Sequence, residues 1–160
     1  MLNTHRTNVG FTLIELLVTI SIISMLVIGA VAGYGNFNNK NLLKQTVLTL
    51  KNNIRLTESN ASLGNKPSGC TKLSSYRITF AGSGYTMVAN CTNGVIAPTV
   101  TITYPIGVTM PALPTPNPLE FYVLSKGTNI SGSTPLILSG VAGTYTLDIT
   151  ESGDIIDTEI

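Results

Sequence analysis

The residues able to do chemistry are few. The 160-residue chain has one histidine, His5, and two cysteines, Cys70 and Cys91. A serine or cysteine nucleophile needs a neighbouring base, most often histidine. His5 precedes a long apolar run at residues 11–32, so no histidine remains in the rest of the chain. The sequence has no glycine-rich phosphate loop and no metal-ligand cluster. Asp148, Glu151, Asp154 and Asp157 offer oxygen ligands of the kind Ca²⁺ takes, but their spacing does not match an EF-hand loop. They read as a solvated acidic tail. The chain is therefore not expected to be an enzyme. No cofactor is expected either, Ca²⁺ at this acidic C-terminal region being the one the residue types allow.

One charge stands where it is expensive. Glu15 is the fifth residue of the apolar run, whose other departures from the strongly apolar and alanine set are Thr12, Thr19, Ser21, Ser24 and Gly29. An acid at the centre of a membrane helix costs about 2.5–3.5 kcal/mol, less near the ends. A compensating partner is expected. The run is long enough to span, giving about 33 Å of helix against a hydrocarbon core of about 30 Å. Residues 1–10, with Arg6 as their firm positive charge, read as a short cytoplasmic leader. Lys40 and Lys44 beyond the run argue the other way under the positive-inside rule. Three readings of the run stay open: a permanent membrane helix, a membrane helix that is also an assembly element, and a secretory signal cleaved after the A-x-A-like Ala30-Val31-Ala32.

Charge is sparse, at 11% of residues with a formal net charge of +1, so the overall balance implies no nucleic-acid partner. Its distribution is uneven. Lys40, Lys44, Lys51, Arg55, Lys66, Lys72 and Arg77 hold most of the positive charge, and the acids gather at the C-terminus. Solvated surfaces are the expected reading of both. An even cysteine count behind an export signal points to a Cys70–Cys91 disulfide, whose loop of about twenty residues contributes roughly 3 kcal/mol.

The elements that position these residues follow from periodicity. Residues 33–39 are rich in glycine and asparagine, poor helix formers, and predict a softened or unwound stretch. Leu43, Val47, Leu50, Ile54 and Ala61 then recur at helical spacing, predicting an amphipathic helix over about 40–62, ended by Gly64 and Pro67. Residues 76–80 and 85–89 read as a hairpin around residues 81–84. Further strands are expected at 100–104, 119–124, 135–138, 144–149 and 153–157, with a proline-rich irregular connection before the second of these. One long helix followed by strands means α+β, an antiparallel sheet laid on the amphipathic half of the helix. The expected division is a leader at 1–10, a transmembrane or assembly helix at 11–35, and an exported globular domain at 36–160.

The hexad Gly10-Phe11-Thr12-Leu13-Ile14-Glu15, with a short leader before it and the apolar run after it, resembles the class III signal of type IV pilins and of type II secretion pseudopilins. The resemblance implies cleavage after Gly10 by a prepilin peptidase and N-methylation of Phe11. It implies a pilin-like fold and a structural subunit, held in the inner membrane before assembly and in a periplasmic or extracellular filament afterwards. Its implied partners are other pilin or pseudopilin subunits, the prepilin peptidase, the inner-membrane assembly platform and the membrane. It also supplies a partner for Glu15, the new amine of Phe11 on a neighbouring subunit. In low dielectric that pair is attractive and fixes axial register. Gly29, Gly33 and Gly35 lie where helices of this family loosen in a filament. The strand, glycine turn and final strand of residues 140–155 look like the ending of H-type minor pseudopilins. Some pilus-side relatives take up DNA through electropositive C-terminal surfaces, whereas this C-terminus is acidic, so nucleic acid is not an expected partner. The alternatives are a minor pilin acting as a DNA- or surface-binding module, and a secreted protein cleaved after Ala32.

Overall fold

The computed structural model describes residues 11–124 and 127–159, so the leader, with His5 and Gly10, lies outside the described residues. The chain divides into two units, residues 1–38 and 39–160. A single helix, α1 (Leu13–Ser62), contributes to both. The softened stretch expected at 33–39 is not found, because α1 runs through it without a break. A glycine costs a helix interior only about 1 kcal/mol relative to alanine, and no proline interrupts the ladder here. Once nucleated, a helix gains one hydrogen bond for each residue it adds.

In the second unit α1 buries one stripe: Leu43, Val47, Leu50, Ile54, Thr57 and Ala61. The steps alternate four and three residues, which keeps the stripe on one face. Thr57 fills the polar gap in that series. Its hydroxyl donates to the Asn53 carbonyl at 2.7 Å and to the Met87 sulfur at 3.3 Å, so no polar atom is buried unpaired there. The helix stops in a Schellman motif. Gly64 adopts φ +62°, its N–H bonds the Ala61 carbonyl, and the Asn65 N–H bonds the Asn60 carbonyl at 2.9 Å.

Eight strands follow: β1 (Leu73–Ala81), β2 (Gly84–Cys91), β3 (Gly94–Thr103), β4 (Val108–Thr109), β5 (Leu119–Tyr122), β6 (Ser133–Gly140), β7 (Gly143–Thr150) and β8 (Ile155–Glu159). The fold is α+β and pilin-like, a long N-terminal helix with a C-terminal antiparallel β domain. The single expected sheet is two four-stranded sheets, ordered β3-β2-β1-β5 and β4-β6-β7-β8. Alternation along a strand tells which face is buried and not which strand lies alongside. Here β5 returns to the free side of β1, pairing Arg77 with Glu120, while β6, β7 and β8 form their own meander. Inward residues of both sheets, among them Ile78, Phe80, Phe121, Leu136, Leu138, Leu147 and Ile149, share one core with the helix stripe. Gly84 is required by close approach, since a Cβ there would lie 2.2 Å from the Ile102 carbonyl oxygen on β3.

The outward face of the first sheet carries a polar chain. Arg77 pairs with Glu120 at 3.1 Å, Ser75 donates to Glu120 at 3.2 Å, and Asn90 donates to Ser75 at 3.2 Å. The charge segregation of the sequence is also partly internal: Lys51 on α1 pairs with Asp157 on β8. The acidic tail is thus not wholly a solvated face. Among the described residues no three acids, histidines or cysteines come together in a group that could hold a metal ion.

Leu50→Ala should lower the unfolding free energy by about 2–5 kcal/mol. Leu56→Ala, on the open side of the same helix, should change it by no more than about 0.5 kcal/mol. Urea titration of the detergent-solubilised chain checks the pair, and equal effects would contradict the burial of the stripe. Glu58 supplies a pH test. Burial raises its carboxyl above the ordinary range, the charge of Asp154 adds to this, and Arg55 opposes it. The folded state therefore binds the Glu58 proton more tightly than the unfolded state. The contribution is most favourable below the unfolded pKa and is lost as pH rises through the folded one. Glu58→Gln should raise the melting temperature at pH 7 and raise it less at pH 4. An equal gain at both would show that ionisation is not the cause.

Candidate assembly site

The first unit is built from the residues that resemble a pilin signal. Phe11 is 85% exposed, and Leu13, Ile14, Leu16, Leu17, Ile20, Ile23, Leu26 and Ile28 all stand exposed around the helix. A helix apolar on every side is stable only against lipid or other helices. The run is long and apolar enough to cross a membrane. Its hydroxyls are satisfied within the helix. Thr19 donates to the Leu16 carbonyl at 2.9 Å, Ser21 to Leu17 at 2.9 Å and Ser24 to Ile20 at 2.8 Å. Bonds of this kind remove the penalty of placing hydroxyls in hydrocarbon.

Glu15 also has a partner inside its own chain, which the sequence reading did not identify. The backbone N–H of Thr12 donates to Glu15 Oε2 at 3.1 Å, and the Thr12 hydroxyl donates to the same oxygen at 3.0 Å. In return the Glu15 N–H approaches Thr12 Oγ1 at 3.3 Å. This is a capping box, in which an N-cap threonine and a glutamate three residues on satisfy each other's orphan groups. The signal was legible as Thr-x-x-Glu directly before an apolar helix. The carboxylate also lies in the first turn, where the helix dipole favours negative charge.

In the second unit Cys70 and Cys91 form the expected disulfide, with Cα atoms 5.7 Å apart. It joins the segment before β1 to the end of β2 in a small second core with Leu73 and Ala89. Asn93 braces the same place, its side chain accepting from the Thr71 N–H at 3.2 Å and donating to the Gly69 carbonyl at 2.9 Å. The disulfide is some way along the chain from Glu15 and closes a different element. The structure therefore brings Thr12 and Glu15 together, leaves Phe11 exposed, and uses the cysteines to hold the domain.

The comparison with known families turns on the same helix. Residues 10–31 match the model for the prokaryotic N-terminal methylation motif, which marks type IV pilin-like proteins. The likeness to type IV pilin-like proteins covers that N-terminal stretch. No curated protein and no solved structure is similar enough to count as a match. The motif points to a structural subunit. A pilin-like precursor of this kind suits anchoring in the inner membrane and assembly with other pilin subunits after prepilin peptidase processing.

The capping box can be tested directly. Thr12→Ala should weaken the helix start by about 1 kcal/mol, which is roughly a fivefold faster amide exchange at Glu15 and Leu16. Thr12→Ser should retain the wild-type rate. Hydrogen exchange of the chain in detergent micelles measures both, and unchanged exchange in the alanine variant would remove the capping role.

Proposed function

We propose that this chain is a minor structural subunit of a type IV pilus or a type II secretion pseudopilus. The observation that carries the reading is the methylation motif at residues 10–31 on a helix whose apolar side chains are exposed on every side. On this reading a prepilin peptidase cuts after Gly10 and Phe11 becomes the methylated terminus. Residues 11–35 form the anchor and assembly helix, and residues 36–160 form the exported domain. Leu, Ile and Val side chains of the apolar run pack against neighbouring helices, and the inner-membrane assembly platform receives the precursor.

Glu15 sets axial register through the Phe11 amine of the next subunit. The capping box supports this role, because it holds the carboxylate at the helix start where a neighbour's terminus can reach it. Gly29, Gly33 and Gly35 support loosening on assembly. A Cβ at any of them would meet nothing within 4 Å, so no packing inside the chain requires these glycines.

Mass spectrometry of the mature N-terminus tests the processing step. Methylated Phe11 is expected, and a terminus at Gly33 would establish the secreted reading instead. Glu15→Ala should leave membrane insertion and cleavage intact and abolish incorporation into sheared filaments. Normal incorporation of that variant would end the register role.

A further inference from the structure

We propose that one end of the β domain is a docking surface for the anionic headgroups of the membrane that α1 spans. Two turns meet there. Between β3 and β4, the Val108 N–H closes a turn onto the Pro105 carbonyl at 3.0 Å, with Gly107 at φ +90°. That turn carries Ile106 at its tip, and Ile106 is 100% exposed. The β6–β7 turn carries Val141, 78% exposed. The two tips adjoin, since a Cβ on Gly107 would lie 3.6 Å from the Val141 side chain. Next to them a Cβ on Gly140 would lie 3.5 Å from Leu43 of α1. Lys40 and Lys44, one turn apart on α1, line a recess with Ala142, Gly143, Thr144 and Tyr145.

The two adjoining branched side chains form one apolar patch in water, and covering it would remove that area from solvent. Here the two apolar tips are flanked by two lysines. Apolar tips that enter the acyl boundary beside lysines that meet phosphate are the pattern of an interfacial membrane contact. The acids are mostly elsewhere. β7 runs from Gly143 at this end to Thr150 at the other, beyond which lie Glu151 and Asp154. Asp157 is paired with Lys51. Glu159, whose backbone pairs with Tyr145, is the acid that β8 brings back toward this end.

Chain length supplies the bilayer as the occupant. Lys40 follows Ala32, the last residue of the apolar run, by eight residues. Even fully extended, that link spans at most about 28 Å. Chain connectivity thus keeps Lys40 within that distance of the end of the apolar run for as long as the helix is in the membrane. The inference rests on the reading of the chain as a membrane-anchored precursor. The contact would hold the domain against the bilayer until assembly withdraws the helix.

The test uses the full chain, disulfide intact, in vesicles of phosphatidylethanolamine and phosphatidylglycerol. A fluorophore is attached at Thr144→Cys, beside the patch, or at Leu63→Cys, just after the C-terminal end of α1. Quenching is measured with lipids spin-labelled near the headgroup. Quenching at 144 should exceed that at 63 by about twofold or more, and should fall in phosphatidylcholine vesicles or at high salt. Adding Ile106→Ser with Val141→Ser, or Lys40→Gln with Lys44→Gln, should lower it towards the value at 63. Equal quenching at the two positions, or no response to either pair of substitutions, overturns the proposal. So does a signal at 144 that changes with the protein-to-lipid ratio, which would mark burial against a second copy. Flotation separates the two readings. A chain that floats with the vesicles but is not quenched at 144 refutes the docking surface alone, whereas a chain that does not float refutes the anchor and the surface together.

Discussion

Burial of one stripe of α1 is the contact on which the β domain depends. Leu43, Val47, Leu50, Ile54, Thr57 and Ala61 are the part of the helix that both sheets share. Two small twisted sheets cannot each bury an inner face alone. The helix gives them a common wall, and Leu50 and Ile54 are fully excluded from solvent against it. The Schellman stop at Gly64 then turns the chain out of the helix where the stripe ends. The hydrogen bond from Leu124 to the Ala61 carbonyl ties the segment after β5 to the same point.

The same helix shows what apolar side chains do without a wall. In residues 13–28 the apolar groups face outward on all sides, and the hydroxyls turn back onto helix carbonyls. The difference lies in periodicity. A four-three repeat makes a stripe that a folded domain can cover, and a continuous run makes a cylinder that only lipid or other helices can cover. Strengthening the first stabilises a domain, whereas strengthening the second creates demand for partners.

Much of this was legible in the sequence. The stripe, the helix stop, the β1–β2 hairpin and the strands around Leu136 and Leu147 follow from local pattern and are present in the fold. Three features were not legible for physical reasons. The helix did not soften at residues 33–39, because propensity is summed over a long helix and three glycines do not outweigh an established ladder. The strands divided into two sheets, because β5 pairs with β1 across more than forty residues, a choice made by tertiary packing. The Lys51–Asp157 pair joins charges that the sequence places far apart. At the helix start, the Thr-x-x-Glu spacing of Thr12 and Glu15 is the local signal of the capping box.

The Thr12–Glu15 pair changes how the energy of any partner for this acid must be counted. The carboxylate is not bare, for its own helix already gives it two donors at 3.0 and 3.1 Å. A group that approaches it either adds to those bonds or exchanges with them. The free energy gained is the difference between two solvated, hydrogen-bonded states of one anion. It is therefore far smaller than the cost of an unpaired charge in hydrocarbon. A contact of that size is readily reversed.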